Sequence, residues 1–142
     1  MAPITLLAGD LGGTKTLLAT YQVDGTRLIK TRSERYASGQ WPNFNDLVAH
    51  FLAGCEVPPS AGCLAVAGPV RQGRVKFTNL PWELDEDGLS QACDLEHLEL
   101  VNDFAALIYG LPHLASDQQA PLWQPVSGAD PQAPVAILGA GT

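Results

Sequence analysis

The run Gly9-Asp10-Leu11-Gly12-Gly13-Thr14-Lys15-Thr16 places two adjacent glycines, a hydroxyl and an ammonium group in one turn, with a carboxylate on the segment entering it. Glycines let backbone N–H groups approach an anion closely, because no Cβ intervenes and φ > 0 is accessible. Thr14 and Lys15 add donors. Asp10 repels a bare phosphate and becomes useful only with a cation between the two. The pattern therefore predicts a nucleotide-phosphate site with Mg²⁺, an ion that keeps several waters and takes few carboxylates. The competing reading is a Gly-Gly hairpin that binds nothing. The spacing is not that of a Walker A loop, which needs Gly-x-x-x-x-Gly-Lys-Ser/Thr at the opening of a helix.

A second chemical pair, Asn102-Asp103, follows the apolar run Leu98-Glu99-Leu100-Val101 and precedes a helical pattern from Phe104. Open α/β sheets bind ligands at the carboxyl ends of their strands. Asn102 can donate to and accept from a hydroxyl, and Asp103 can take the proton of an attacking hydroxyl as a general base. Asn and Asp are also favoured N-caps, so one of them could simply cap the helix. A third stretch, Gly139-Ala140-Gly141-Thr142, reads as another glycine-rich phosphate turn. The sequence stops inside it, so the chain is expected to be one lobe of a longer enzyme.

The elements that must position these groups are legible in outline. Ile4–Ala8 and Leu17–Tyr21 flank the first turn, Asp24-Gly25 is a hairpin signal, and Arg27–Tyr36 supplies a third extended segment. Together they predict a three-strand meander. Asn43 is a candidate N-cap for a helix whose Phe44, Leu47, Val48, Phe51 and Leu52 share one face, ended by Gly54. His50 lies beside that face and reads as a surface or packing residue. Gly62–Pro69 reads as a buried strand, and Gln72-Gly73 turns the chain into an exposed hairpin strand, Arg74–Phe77. Thr78–Trp82 is a predicted loop, and Leu84–Cys93 a predicted helix. A strand over Leu98–Val101 leads to a helix from Phe104 to Tyr109, stopped by Gly110-Leu111-Pro112. Residues 112–134 read as an irregular connection with a short strand near Leu122-Trp123, and Val135–Leu138 as a new buried strand. The predicted division is residues 1–112 as a first lobe and 113–142 as a connection leading into a second.

Composition narrows the partners. With 142 residues and 46% hydrophobic content, the chain can bury a real core. All eight Lys and Arg lie at or before Lys76 against five acids there, and ten acids follow, so the balance runs from +3 to −10. A net −7 disfavours nucleic-acid binding, which needs a basic face. The acids Glu83, Asp85, Glu86 and Asp87 read as a solvated helix start favoured by the helix dipole. No run approaches membrane-span length, and the N-terminus lacks the basic region of a signal peptide. Cys55, Cys63 and Cys93, odd in number and without CxxC spacing, read as reduced and mostly buried thiols of a cytosolic protein.

Four stretches taken in order resemble bacterial glucokinases: Gly9–Thr14, Thr78-Asn79-Leu80-Pro81-Trp82 with Leu84-Asp85, Val101-Asn102-Asp103-Phe104, and Leu138–Thr142. Ala65-Val66-Ala67-Gly68-Pro69-Val70 is similar to a strand of the same family. The resemblance runs through essentially the whole chain. It implies an α/β, ribonuclease H-like (actin-like ATPase) lobe: a mixed sheet with an antiparallel three-strand meander followed by parallel strands flanked by helices. It implies ATP-dependent transfer of the γ-phosphoryl group to the 6-hydroxyl of glucose, in the cytoplasm, by a homodimer. On that pattern Asp103 is the general base, and Asn102, Asp103 and Asn79 meet the sugar. Asp10 holds Mg²⁺ through water, and Gly12, Gly13, Thr14, Lys15, Gly139, Gly141 and Thr142 face the nucleotide phosphates. A Glu-x-x-His segment and a further Glu that hold the sugar in the family would lie beyond Thr142, so the chain alone is not expected to phosphorylate glucose at a useful rate. Lys15-Thr16 departs toward the repressor/ORF/kinase group. That keeps open another hexose or N-acetylhexosamine kinase, a polyphosphate-using kinase, or a sugar-sensing domain without turnover.

Overall fold

Alternation in the first run decides the central strand. In a computed structural model, which describes residues 4–128 and 130–139, Thr5–Leu11 forms β1 and sends Leu7 and Leu11 into the core while Asp10 faces outward. β2 (Lys15–Asp24) and β3 (Arg27–Ala37) complete the predicted meander. The Gly25 φ of +58° fits the β2–β3 turn. β4 (Ala61–Val66) and β7 (His97–Asn102) then add parallel to β1, giving a five-stranded sheet ordered β3-β2-β1-β4-β7. This is the expected mixed sheet.

Helix α1 (Phe44–Ala53) buries Phe44, Leu47, Val48 and Phe51 in the same apolar cluster as Leu7, Leu11, Leu18, Leu64, Val66, Leu98 and Leu100. Asn43 caps it by accepting from the Asp46 N–H at 2.8 Å, as predicted. Gly54 ends it with φ −95°, so no left-handed cap demands glycine here. A Cβ at Gly54 would meet the Arg32 guanidinium, which donates to the Gly54 carbonyl at 2.7 Å and would have to move aside.

A two-stranded hairpin of β5 (Arg74–Lys76) and β6 (Glu83–Asp85) packs on the same core through Val75, Phe77, Trp82 and Leu84. Arg74 faces Asp85 and Lys76 faces Glu83 across the ladder, which favours this register. The predicted helix over Leu84–Cys93 is shorter: α2 spans Glu86–Ala92, and Leu84 and Asp85 belong to β6. Leu84 opposite Val75 decides this, because the hairpin buries both, and Asp85 then caps α2 at the Gly88 N–H. The acidic cluster is thus not merely solvated. The Glu86 carboxylate accepts the Leu100 N–H on β7 at 2.8 Å.

Three further expectations are corrected. β4 is buried on one face only, since period-2 alternation sends Leu64 and Val66 inward. Cys63 is consequently exposed, with Cys55 and Cys93 half-buried, and all three are free thiols. No strand forms at Leu122-Trp123 or at Val135–Leu138; Leu122, Trp123, Val135 and Leu138 are exposed. Apolar β-formers become a strand only when a neighbouring ladder takes their backbone groups, and none does among the described residues.

By internal contacts the chain divides into Met1–Ala106 and Leu107–Thr142. Helix α3 (Asp103–Gly110) is followed by 3₁₀ turns at Leu111–His113 and Ser116–Gln118, and the rest of the described residues of the second unit are irregular. No helix among the described residues is long and apolar enough to cross a membrane.

On the edge strand β3, Tyr36 donates to Glu34 Oε2 at 2.8 Å and Arg32 donates to the same oxygen at 2.7 Å. These bonds, Tyr36 first, hold the Glu34 carboxyl below its usual range. Burial, then the bond to Glu34, pushes the Tyr36 phenol up to about 12. The folded state thus retains a proton that an unfolded tyrosine loses near pH 10. The resulting stabilisation is complete below pH 10 and disappears as pH rises toward 12. Denaturant titrations at pH 8 and pH 11 are expected to show a smaller drop for Tyr36→Phe than for the parent. Equal drops would remove Tyr36 as the cause.

Candidate active site

Two ladders bring the candidate residues to one end of the sheet. Leu11 pairs with Val66, and Val66 with Asn102, so β1, β4 and β7 finish side by side. The turn Gly12–Thr14, the segment Ala67-Gly68 and Asp103 therefore leave the sheet along the same edge. With strands about 4.8 Å apart, β1 and β7 lie roughly 10 Å from each other.

The glycine-rich turn joins β1 to β2 within the meander, as predicted. The fold asks different things of its glycines. Neither Gly12 nor Gly13 has a positive φ. Gly9 is a packing residue, since a Cβ there would sit 2.6 Å from Leu64 Cδ2 and 2.9 Å from Leu11 and Leu18 methyls. The Gly12 N–H is spent inside the hairpin, donating to the Lys15 carbonyl at 2.9 Å. Gly13 and Thr14 donate to no backbone carbonyl among the described residues, so their N–H groups remain for an anion. Thr14, Lys15 and Asp10 are exposed around the turn.

Asn79 joins this site from a distant part of the sequence. Phe77 N–H donates to the Trp82 carbonyl at 3.0 Å and closes a loop with Asn79 near its tip. The base of that loop is anchored in the core by Phe77 and Trp82, whose rings meet edge-on at 5.6 Å. A Cβ on Gly13 would stand 3.8 Å from Asn79 Cβ and 3.9 Å from its Nδ2. The loop and the glycine-rich turn are thus in near contact.

At the end of β7, Asn102 acts as the helix cap. Its Oδ1 accepts from Phe104 N–H at 3.1 Å and Ala105 N–H at 3.2 Å, while its Nδ2 donates to the Gly68 carbonyl at 2.9 Å and to Asp103 Oδ1 at 3.2 Å. Asp103 Oδ1 also accepts the Phe104 N–H at 2.8 Å. Its Oδ2 has no partner among the described residues, and Asp103 is exposed. Capping and the free carboxylate oxygen thus fall on neighbouring residues.

The donor set suits one small hard cation beside the turn. Asp10 is a single exposed carboxylate, and no group of three or more His, Cys, Asp or Glu converges among the described residues. One exposed carboxylate can hold Mg²⁺ through the ion's own waters. Gly139 is exposed in the second unit, and Gly141 and Thr142 lie outside the described residues.

Two participants were not foreseen from sequence: Gly68, whose carbonyl anchors Asn102, and Ser38, bound to the glycine-rich turn. Ser38 carried no readable signal, because its partners lie 22 to 26 residues away.

The glucokinase family model matches residues 7–142. The chain belongs to the glucokinase family. A glucokinase of a Nostoc species is 41% identical over 140 residues, covering 96% of this chain and 40% of the relative. The crystal structure of a glucokinase from an Antarctic psychrotroph superposes with TM-score 0.75 at 32% identity, covering 80% of this chain and 37% of that one. A repressor/ORF/kinase glucokinase from Streptomyces griseus, solved with glucose and AMPPNP, shares the fold at 22% identity and TM-score 0.52, covering 77% of this chain and 36% of that one. The ribonuclease H-like fold expected of the glucokinase family is therefore the fold of this chain. It spans about 40% of the length of the curated relatives it matches.

Proposed function

We propose that this chain forms part of an ATP-dependent glucokinase, contributing the phosphate turn, the magnesium carboxylate and the general base. What carries the reading is the in-register end of β1, β4 and β7. It sets Asp103, with Oδ2 free, roughly two strand spacings from the free N–H groups of Gly13 and Thr14. A sugar hydroxyl fits between the base and the terminal phosphate. Glucose is the acceptor named in the family, and the Streptomyces griseus structure holds glucose with an ATP analogue.

In this reading Asp103 Oδ2 accepts the proton of the 6-hydroxyl as that oxygen attacks the γ-phosphorus. Asn102 caps α3 and offers its amide to the sugar by exchanging the longer of its two donor bonds, the 3.2 Å one to Asp103. Asn79 meets the ligand from the loop beside Gly13. Gly12 shapes the turn, while Gly13, Thr14 and Lys15 donate to the phosphates, a ligand to which the family resemblance also assigns Gly139, Gly141 and Thr142. Mg²⁺, held by Asp10 through water, would neutralise the phosphate oxygens. Such transfer relies on positioning and charge neutralisation more than on reactive side chains. The protein works in the cytoplasm as a homodimer, with residues 1–112 as its first lobe.

The test is an assay of sugar-phosphate formation, which reads every donor and acceptor alike, on the protein expressed from its full reading frame. Glucose with Mg·ATP is expected to give the highest kcat/KM. A higher value with an N-acetylhexosamine or with polyphosphate would replace this assignment by the one Lys15-Thr16 leaves open. No turnover with any pairing, alongside retained glucose binding, would favour a sensing domain.

A further inference from the structure

Ser38 stands at the end of β3 in a 3₁₀ turn, Ser38–Gln40, and is wholly buried, an unfavourable place for a hydroxyl without partners. Its partners are on the phosphate turn and the strand leaving it. Ser38 Oγ donates to the Gly12 carbonyl at 2.8 Å, and its backbone N–H donates to the Thr14 carbonyl at 3.0 Å. A hydroxyl has one proton. With that proton on Gly12, the 2.9 Å contact between Ser38 Oγ and Thr16 Oγ1 has Thr16 as donor. One residue thus pins the turn on both sides of Gly13.

The consequence follows from peptide geometry. In a planar trans peptide the C=O and N–H point in opposite directions. Holding the Gly12 carbonyl inward on Ser38 turns the N–H of the same peptide, that of Gly13, outward. A Gly-Gly pair rotates this plane more easily than any other sequence, because neither residue has a Cβ to restrict it. Without a clamp, the donor would spend part of its time facing the protein. We propose that Ser38 is a positioning residue for nucleotide binding, fixing the Gly12–Gly13 peptide so that the Gly13 N–H faces the phosphates. This rests on the reading of Gly12–Lys15 as the phosphate turn.

The test uses the protein expressed from its full reading frame, with calorimetric titrations of Mg·AMPPNP and of glucose. Ser38→Ala is expected to weaken Mg·AMPPNP binding about tenfold, as loss of one well-placed hydrogen bond does, and to leave glucose affinity unchanged. Thr20→Val is the matched control, since it removes a buried hydroxyl from β2 that bonds the Thr31 side chain and none of the turn residues. Its expected effect is on denaturation midpoint alone. Equal nucleotide affinity in Ser38→Ala and Thr20→Val would overturn the proposal, as would parallel losses for nucleotide and glucose. Asp10→Asn separates the two levels. If it weakens Mg·AMPPNP while Ser38→Ala does not, only the Ser38 role fails; if neither does, the phosphate reading of the turn fails with it.

Discussion

If Asp103 is the general base as proposed, its replacement by Asn in the protein expressed from its full reading frame is expected to lower kcat by about 10²- to 10⁴-fold, the range a positioned base contributes. The carboxylate's two oxygens divide the work. Oδ1 is held by the Phe104 N–H and by Asn102, and an amide oxygen in its place can still accept both bonds. The start of α3 should therefore survive. Oδ2 becomes an amide nitrogen, which donates to a sugar hydroxyl and cannot take its proton. Glucose affinity is expected to change only a few-fold while turnover collapses, so calorimetry and an ADP-release assay should diverge. Turnover within tenfold of the parent would remove Asp103 as the base. A matching loss of glucose affinity would reassign it to binding.

The largest expected effect on stability comes from Trp82→Ala. Trp82 is 1% exposed and touches Phe44 at 5.5 Å and Phe77 at 5.6 Å between ring centres. Its indole N–H donates to the Trp41 carbonyl at 3.0 Å. Truncation leaves a large cavity and an unpaired carbonyl, at a cost of about 3–5 kcal/mol. Urea denaturation should report that loss, and Trp82→Phe, which keeps most of the ring and forfeits the N–H, should lose much less. A loss below about 1 kcal/mol for the alanine variant would contradict this anchoring role. The functional corollary concerns Asn79, because Trp82 closes the loop that sets it beside Gly13. Even folded, Trp82→Ala should hold that loop less firmly.

Local signals were legible where one segment carries its own answer. The apolar runs on either side of the glycine-rich turn, with Asp24-Gly25, predicted the meander, and the spacing of Phe44, Leu47, Val48 and Phe51 after Asn43 predicted α1 with its cap. The same logic failed where a second segment decides. Leu84 and Asp85 look like the first turn of an acidic helix until Val75 lies opposite Leu84 and claims both for a strand. Val135–Leu138 has the composition of a buried strand, yet composition supplies no neighbouring ladder.

The chemical groups themselves were written in the sequence: the glycine-rich turn with Asp10, Thr14 and Lys15, the Asn102-Asp103 pair, and Asn79. Side-chain chemistry is a property of residue type, and turn and cap preferences act over a few residues. What each group does was decided in three dimensions. Gly9 proved to be a packing residue, Gly12 a closed hairpin position, and Asn102 the cap that leaves Asp103 Oδ2 free. Ser38 entered the turn from 26 residues beyond Gly12. These outcomes depend on which backbone groups remain unpaired once the sheet has formed. Strand register sets that, and register depends on contacts between segments far apart in the chain.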